Sequence, residues 1–149
     1  MKLARTIAFI FLMWGCNNSA SDNNKSETSK TDSLMHEVMK GHNFTMGKME
    51  KMNKTQRRVQ QIIDSISRLS PGKRKNAERY REQLGSVLNR LGAANAAMDT
   101  WMNQFNMDSL QNNAEERTKY LESEKIKILS VKDSMINSLR DADSLLKKD

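Results

Sequence analysis

The chain has 149 residues, a formal net charge of +7 and only 5% aromatic residues. This length suits a single domain, and one Pro and six Gly beside eleven Met favour long helices over sheet-rich folds. The positive balance favours anionic partners but is too modest to indicate nucleic acid, which we do not expect to bind. Cys16 is the only cysteine, so no disulfide can form within one chain.

The first sixteen residues have the zones of a bacterial export signal. A basic start precedes an apolar run from 6 to 14, and Gly15 and Cys16 follow it. The run is shorter than the roughly 20 residues that span a bilayer, so we interpret residues 1–15 as a signal peptide outside the fold. A small residue followed by Cys at this place resembles the lipobox of bacterial lipoproteins. An ordinary secretion signal with an incidental cysteine is the alternative interpretation.

The resemblance implies that the mature chain begins at Cys16 and carries a diacylglycerol on sulfur, with a further acyl chain such as palmitate on the amine. One acyl chain binds a membrane only marginally, whereas two or three anchor a protein without a transmembrane helix. We therefore expect a lipid-anchored protein of the cell envelope and assign it to the outer membrane. The sequence leaves open which face of that membrane it occupies and whether it forms an oligomer.

The rest of the chain is predicted to be all-α. Residues 16–31 contain almost nothing apolar and are predicted to form a disordered tether of about 20 Å. Apolar residues at spacings of three and four then predict helices at about 33–69, 75–105 and 114–147. Helices of this length with short connections favour an up-down-up, coiled-coil-like bundle of three antiparallel helices over residues 32–149.

Turn residues and apolar stripes define these helices. Pro71 and Gly72 mark the clearest break, because Pro cannot continue a helix and Gly permits a tight reversal. Asn113 with Glu116 fits a capping box at the start of the third helix. The second and third helices have regular apolar stripes, formed by Ala77, Tyr80, Leu84, Val87, Leu91, Ala94, Met98, Trp101 and Phe105, and by Leu121, Ile128, Val131, Met135, Leu139, Ala142 and Leu146.

The first helix has an apolar face that is rich in Met. Its members are Met35, Met39, His42, Met46 and Met49, followed by Val59, Ile63 and Ile66. Thioether and imidazole groups are soft ligands that suit Cu(I). A candidate copper site is therefore formed by His36, Met39, His42, Met46 and Met49. The alternative, which we prefer from the sequence, is that these Met side chains fill the core.

Partner binding is predicted at two other places. Trp101 lies in the stripe of the second helix, where core packing is the ordinary role, but Trp is also enriched in interface hot spots. The turn near Pro71 is basic, with Lys73, Arg74 and Lys75 at its centre. A solvated end accounts for these charges, and contact with an anionic envelope polymer or lipid headgroup is the sharper hypothesis.

No catalytic arrangement is visible in the sequence. It has two His, no Ser in a Gly-x-Ser-x-Gly pattern and no Gly-rich phosphate loop. We therefore predict a non-enzymatic, lipid-anchored helical module with a binding or structural role and no cofactor beyond the lipid on Cys16. A copper-binding lipoprotein is the alternative. The sequence does not name the partner, which we expect to be an envelope protein or an anionic polymer.

Three segments carry a family resemblance. Residues 35 to 47 contain Met-His-Glu-Val-Met and Met-Gly groups, residues 97 to 102 contain Met-x-x-Trp-Met, and a charged helix runs from Tyr120 to Leu145. Together they resemble a family of small lipoproteins from Bacteroidetes-type bacteria, sometimes labelled viral A-type inclusion protein. Asn43 stands where that family has Asp after its second His. The resemblance covers about residues 34 to 146 and implies a helical lipoprotein fold, with no settled activity.

Overall fold

The computed structural model describes the backbone of residues 19 to 147 and the side chains of residues 29 to 147. Three helices account for most of this part: α1 (Ser19–Ser67), α2 (Pro71–Gln104) and α3 (Ala114–Leu146). Each packs against the other two, and no strand occurs within residues 19 to 147. The predicted all-α three-helix bundle is therefore confirmed. The predicted signal peptide and Cys16 lie outside the described residues.

The contacts between helices give the direction of each one. Lys30 Nζ lies 2.8 Å from Glu122 Oε1, and Lys51 Nζ lies 2.8 Å from Asp143 Oδ2, so α1 and α3 are parallel. Tyr80 pairs with Leu145 and Arg90 with Asp141, so α2 is antiparallel to α3 and the order is up-down-up. We call the end with the α1–α2 turn the tip and the end with the connection 105–113 the base. None of the described helices has the length and apolar character needed to cross a bilayer.

Helix α1 begins earlier than the sequence predicts. Its first residue is Ser19, whereas the prediction placed a tether through residue 31 and a helix start near 33. The end of that segment packs on α3: Thr31 is buried, and Lys30 pairs with Glu122. No Pro or Gly interrupts residues 19 to 31, so a polar sequence continues the helix where α3 lies beside it. The structure therefore differs from the predicted tether.

The turn between α1 and α2 lies before Pro71. Arg68 N–H donates to the Ser65 carbonyl at 3.2 Å, and this bond closes the end of α1. Pro71 is in the first turn of α2, where its missing N–H has no helical partner to lose. The predicted reversal at Gly72 is wrong, because Gly72 lies within the helix and has no positive φ. Helix α2 consequently begins four residues before the predicted residue 75.

The start of α3 agrees with the predicted cap. Asn113 Oδ1 accepts the N–H of Glu116 at 3.1 Å, which satisfies one of the free amides of the first turn. The reciprocal bond of a full capping box is replaced, because the Asn113 N–H donates to the Leu110 carbonyl at 3.1 Å. Leu110 has a φ of 58°, the only positive φ of a non-glycine residue in the described part of the chain. Its left-handed backbone turns the connection into α3.

Two hydrophobic clusters fill the bundle. The cluster towards the tip contains Met52, Val59, Ile66, Leu84, Val87, Leu91, Ala94, Met135, Leu139 and Ala142. The cluster towards the base contains Val38, Met98, Trp101, Ile128 and Val131. All of the members from α2 and α3 belong to the stripes that the sequence predicts for those helices. Burial of a side chain of this size contributes roughly 1.5–3 kcal/mol.

The buried face of α1 is not the predicted Met face. In its first half the buried residues are Thr31, Leu34, Val38, Gly41 and Thr45. Met35, Met39, His42 and Met46 each lie one residue after a buried one, so the face is rotated by about 100°. Met46 is 41% exposed, and Met35, Met39, His42 and Met49 are half-buried, whereas Val59 and Ile66 farther along α1 are buried as the sequence predicts.

Close approach of α1 and α3 explains this difference. A Cβ at Gly41 would lie 3.1 Å from Ile128 Cγ2, so the two helices meet where α1 has no side chain. The buried Thr45 hydroxyl donates to the Gly41 carbonyl at 2.8 Å and is therefore satisfied within α1. Small residues thus form the contact line, and the longer Met side chains lie at its edge.

Candidate functional site

Four of the five predicted copper ligands, all except His36, share one side of α1 with Met35. We call this set, Met35, Met39, His42, Met46 and Met49, the Met/His face. Successive residues of an α-helix are rotated by about 100°, so the five positions fall within an arc of about 80°. His36 lies about 120° from His42 on the same helix and is exposed. The predicted ligands therefore do not all lie together, since His36 is apart from the others.

The Met/His face borders α2 near the base. The centroids of the His42 and Trp101 rings are 5.7 Å apart, with a tilt of 37° between the rings. His42 Nδ1 lies 3.0 Å from Asn43 Oδ1, and an amide oxygen can only accept a hydrogen bond. A neutral His42 that donates from Nδ1 in this contact has its lone pair on Nε2.

Trp101 is the centre of a row of rings that crosses the base of the bundle. Phe105 stacks on it with centroids 4.7 Å apart, and Tyr120 of α3 stacks on Phe105 at 6.2 Å. Tyr120 Oη accepts the backbone N–H of Asn106 at 2.8 Å, which fixes the end of the row. With only 5% of its surface exposed, Trp101 has little area for a partner. The sequence predicts neither the row nor its contact with His42.

The indole N–H of Trp101 is an exception to the usual satisfaction of buried polar groups. Trp101 Nε1 is buried, and no hydrogen-bond acceptor reaches it from the residues that the structure describes. An unpaired buried donor costs about 1–3 kcal/mol. The stacking and burial of the ring must offset this cost in the folded chain. The Trp101 ring is therefore held in place by packing against its two faces and not by a hydrogen bond from Nε1.

The tip carries the net charge of the chain. We define the basic tip as residues 57–82, which contain eight Lys and Arg and three Asp and Glu. The rest of the chain after Cys16 contains fifteen of each sign. Helices α1 and α2 extend past α3 here: Tyr80 Oη donates to the carbonyl of Leu145 near the end of α3, at 3.4 Å. The residues of α2 before Tyr80 project about 13 Å farther.

The predicted tip residues have different environments. Lys73 and Lys75 are exposed, and no carboxylate of the described residues forms an ion pair with them. Arg74 Nη1 donates to the Ser67 carbonyl at 3.4 Å, which helps to close the end of α1. Farther along α2, the hydrogen bond from Arg81 holds the pKa of Glu78 below its ordinary value. Two of the three predicted cations are thus unpaired at the surface.

A groove between α1 and α3 is a site that the sequence does not predict. Phe44 is 41% exposed. The centroid of its ring lies 5.5 Å from Lys48 Nζ and 5.2 Å from Lys132 Nζ, within cation–π range. Cavities of about 440 Å³ and 320 Å³ adjoin Phe44 along the groove. The ion pairs Lys51–Asp143 and Glu37–Lys125 join α1 and α3 along its lining. The signal in the sequence was Phe44 itself, an aromatic residue outside the phase of the Met stripe.

An ion pair at this groove shifts one pKa. Glu37 pairs with Lys125 across α1 and α3, and the hydrogen bond from Lys125 lowers the pKa of Glu37. The charge of Lys125 acts in the same direction, while partial burial opposes it. Across the described part of the chain, no three His, Cys, Asp or Glu side chains come together as a metal-binding group.

Comparison of the chain with protein-family models, with curated proteins and with solved structures gives no match. The resemblance to small envelope lipoproteins therefore stays a prediction.

Proposed function

We propose that the chain is a lipid-anchored, non-enzymatic module of the cell envelope that presents its basic tip to an anionic polymer. The observation that carries this proposal is the distribution of charge. Residues 57–82 hold all of the net positive charge of the chain after Cys16, because the remainder is balanced. Confining like charges at one end raises the local potential, and a polyanion lowers that energy when it binds.

The position of the tip supports this role. Helix α1 runs without interruption for 49 residues, which corresponds to about 70 Å. The proposed anchor, Cys16, precedes the first residue of α1 by three positions, and the basic tip is at the other end of that helix. A lipid on Cys16 would therefore hold the base at a membrane and direct the tip away from it.

Lipid attachment is tested by metabolic labelling with an alkyne analogue of palmitate. We expect label on the chain made in a bacterium of the diderm type and none on its Cys16→Ser variant, because the variant lacks the only thiol of the chain, to which the lipid would be attached. The mass of the labelled chain should also correspond to a start at residue 16. Label that persists in the variant, or a mature chain that starts elsewhere, would exclude the anchor.

Binding at the tip is tested by reversing three charges and measuring retention on a heparin column, a simple polyanion. The test variant carries Lys73→Glu, Arg74→Glu and Lys75→Glu. The matched control carries Lys40→Glu, Lys48→Glu and Lys132→Glu, three exposed or groove-lining lysines away from the tip. Both variants change the net charge equally, so a difference between them reports the position of the charge.

We expect the tip variant to elute at clearly lower salt than the parent and the control variant to elute between them. Surface electrostatic binding is screened by salt, which makes elution a direct measure of the contact. Circular dichroism should show that both variants keep the helical content of the parent. Equal elution of the two variants would mean that the chain binds polyanions through its total charge, and the proposal would fail.

A further inference from the structure

The Met residues of this chain are concentrated in two segments that face each other. Nine Met follow Cys16, and eight of them lie in residues 35–52 and 98–107. The first segment lies in α1 and the second covers the end of α2 and the start of the connection after it, and they meet at the contact between His42 and Trp101. Met49 and Met98 also pack in the same hydrophobic cluster at this level. The enrichment is therefore local to one part of the bundle.

Core packing accounts for only part of this enrichment. Met52 and Met98 are fully buried, but Met46, Met102 and Met107 are 41%, 36% and 50% exposed. A thioether at the surface contributes little to the free energy of folding. The preferred interpretation from the sequence, that the Met face of α1 is core, does not explain Met46. A metal ion bound by the Met46 sulfur would explain it.

His42 supplies a nitrogen ligand at the centre of the same face. Its Nδ1 lies 3.0 Å from Asn43 Oδ1, and a ring that donates there has its lone pair on Nε2. Such a hydrogen bond to the other ring nitrogen is the usual way in which a metal-binding imidazole is oriented. Met39 and Met46 lie three residues before and four residues after His42, the spacings that make side chains neighbours on a helix.

Trp101 supplies a fourth group across the helix interface. Its ring centroid lies 5.7 Å from that of His42, so a cation bound at His42 would be near this indole, and aromatic π systems attract cations. The unpaired Nε1 indicates that the ring is not positioned by a hydrogen bond. Its role at this point comes from its π face and its packing.

We propose that Met39, His42 and Met46 bind one Cu(I) ion beside Trp101. The set has two neutral sulfurs and one neutral nitrogen, which suit a soft monovalent cation better than a hard divalent one. Flexible Met side chains, with three rotatable bonds each, can bring their sulfurs to His42 Nε2 without a change in the backbone. His36 is outside the set because it lies on another side of α1. The site is independent of the basic tip.

The chain contains its own probe for this site. We would use the full chain in detergent micelles with Trp14→Phe and Cys16→Ala, so that Trp101 is the only tryptophan and no thiolate competes for copper. Cu(I) is added as its acetonitrile complex without oxygen, and bicinchoninate competition gives the affinity. We expect Trp101 fluorescence to fall and to reach its limit at one equivalent of Cu(I). Ag(I), which is redox-inert, should titrate in the same way.

Two matched pairs of variants locate the ion. His42→Gln and Met46→Leu should each weaken Cu(I) binding by roughly tenfold or more, since even outer-shell changes at metal sites have effects of this size. His36→Gln replaces the only other histidine, and Met107→Leu replaces another exposed Met, so both controls should bind Cu(I) as the parent does. Met46 and Met107 are exposed, and their substitution by Leu should leave the fold intact.

The outcomes separate the proposal from its rivals. No quenching by one equivalent of Cu(I) would overturn it and would leave the exposed Met residues as a surface for a protein partner. Quenching with equal loss of affinity in all four variants, or with no loss in any, would also overturn it, because binding would then not depend on His42 and Met46. Loss of helical signal in the His42→Gln chain would transfer the decision to Met46→Leu.

Discussion

Gly41 and Gly47 lie six residues apart in α1, and their surroundings differ. A Cβ at Gly41 would meet Ile128 Cγ2 at 3.1 Å and Ile128 Cγ1 at 3.3 Å, whereas nothing lies within 4 Å of the corresponding position at Gly47. Ile128 is fully buried in the cluster towards the base. Gly41 is therefore a point of close contact between α1 and α3. Gly47 lies at the surface, where its only effect is to lower the helix propensity of α1.

This contrast predicts opposite effects of the same substitution. Gly41→Ala should lower the free energy of unfolding by about 1 kcal/mol, because overpacking costs about 1–3 kcal/mol and the better helix propensity of Ala returns about 1 kcal/mol. Gly47→Ala should raise it by up to about 1 kcal/mol, since only the propensity changes. Urea unfolding of both variants measures this. A Gly41→Ala chain at least as stable as the parent would refute the close contact with Ile128.

The residue scale also shows what a sequence can and cannot predict. The Asn113 cap was predictable because its acceptor and donor lie three residues apart, and local spacing determines the bond. The contact between His42 and Trp101 was not, because 59 positions separate them and the pairing depends on the rotation of two helices. The difference between Gly41 and Gly47 is not visible in the sequence for the same reason, because it depends on how α1 packs against α3.

At the scale of the element, α1 has two faces with the same helical spacing, and this is why the sequence predicts the wrong buried face. Residues 31, 34, 38, 41 and 45 and residues 35, 39, 42, 46 and 49 both follow spacings of three and four. Hydrophobicity favours the second set, which is rich in Met. Packing selects the first set, because small and β-branched residues let α3 approach. The stripes of α2 and α3 were predictable because each has only one apolar face at this spacing.

The register of α1 can be tested with two Met residues of the same helix. Met52→Ala should lower the free energy of unfolding by about 2–5 kcal/mol, since Met52 is fully buried and its removal leaves a cavity. Met46→Ala should change it by no more than about 0.5 kcal/mol, since Met46 is exposed. Thermal or urea unfolding gives both values. A large cost at Met46 would mean that the predicted Met stripe, and not the observed face, is the core.

At the scale of the whole molecule, three carboxylates have a pKa below the ordinary value because a cation donates a hydrogen bond to each. They are Glu37 beside Lys125, Glu78 beside Arg81, and Glu115 beside Lys119. A carboxyl whose pKa is lower in the folded chain stabilises the fold at pH above its ordinary value of about 4.5. This contribution is lost as the pH falls through the lowered pKa. Only the pair of Glu37 joins two helices.

We therefore expect Glu37→Gln to be less stable than the parent at about pH 7 and to approach it as the pH falls through the lowered pKa of Glu37, below which the parent carboxyl is also neutral. Thermal unfolding of both chains across this range measures the difference. Glu78→Gln is the control, because its ion pair lies within α2 and should affect the packing of the bundle less. A difference between Glu37→Gln and the parent that is constant with pH would show that the carboxylate charge is not its cause.

The continuous course of α1 has a mechanical consequence. If Cys16 is anchored and the basic tip is held by a partner, as we propose, a pulling force reaches α1 at its first residue and, through the turn 68–70, at its last. The load path then follows the hydrogen bonds of α1 from Ser19 to Ser67, and it does not pass through the packing between helices. Helices α2 and α3 pack along α1 and resist its bending. A bundle loaded in this way would transmit tension between two surfaces without separating its helices.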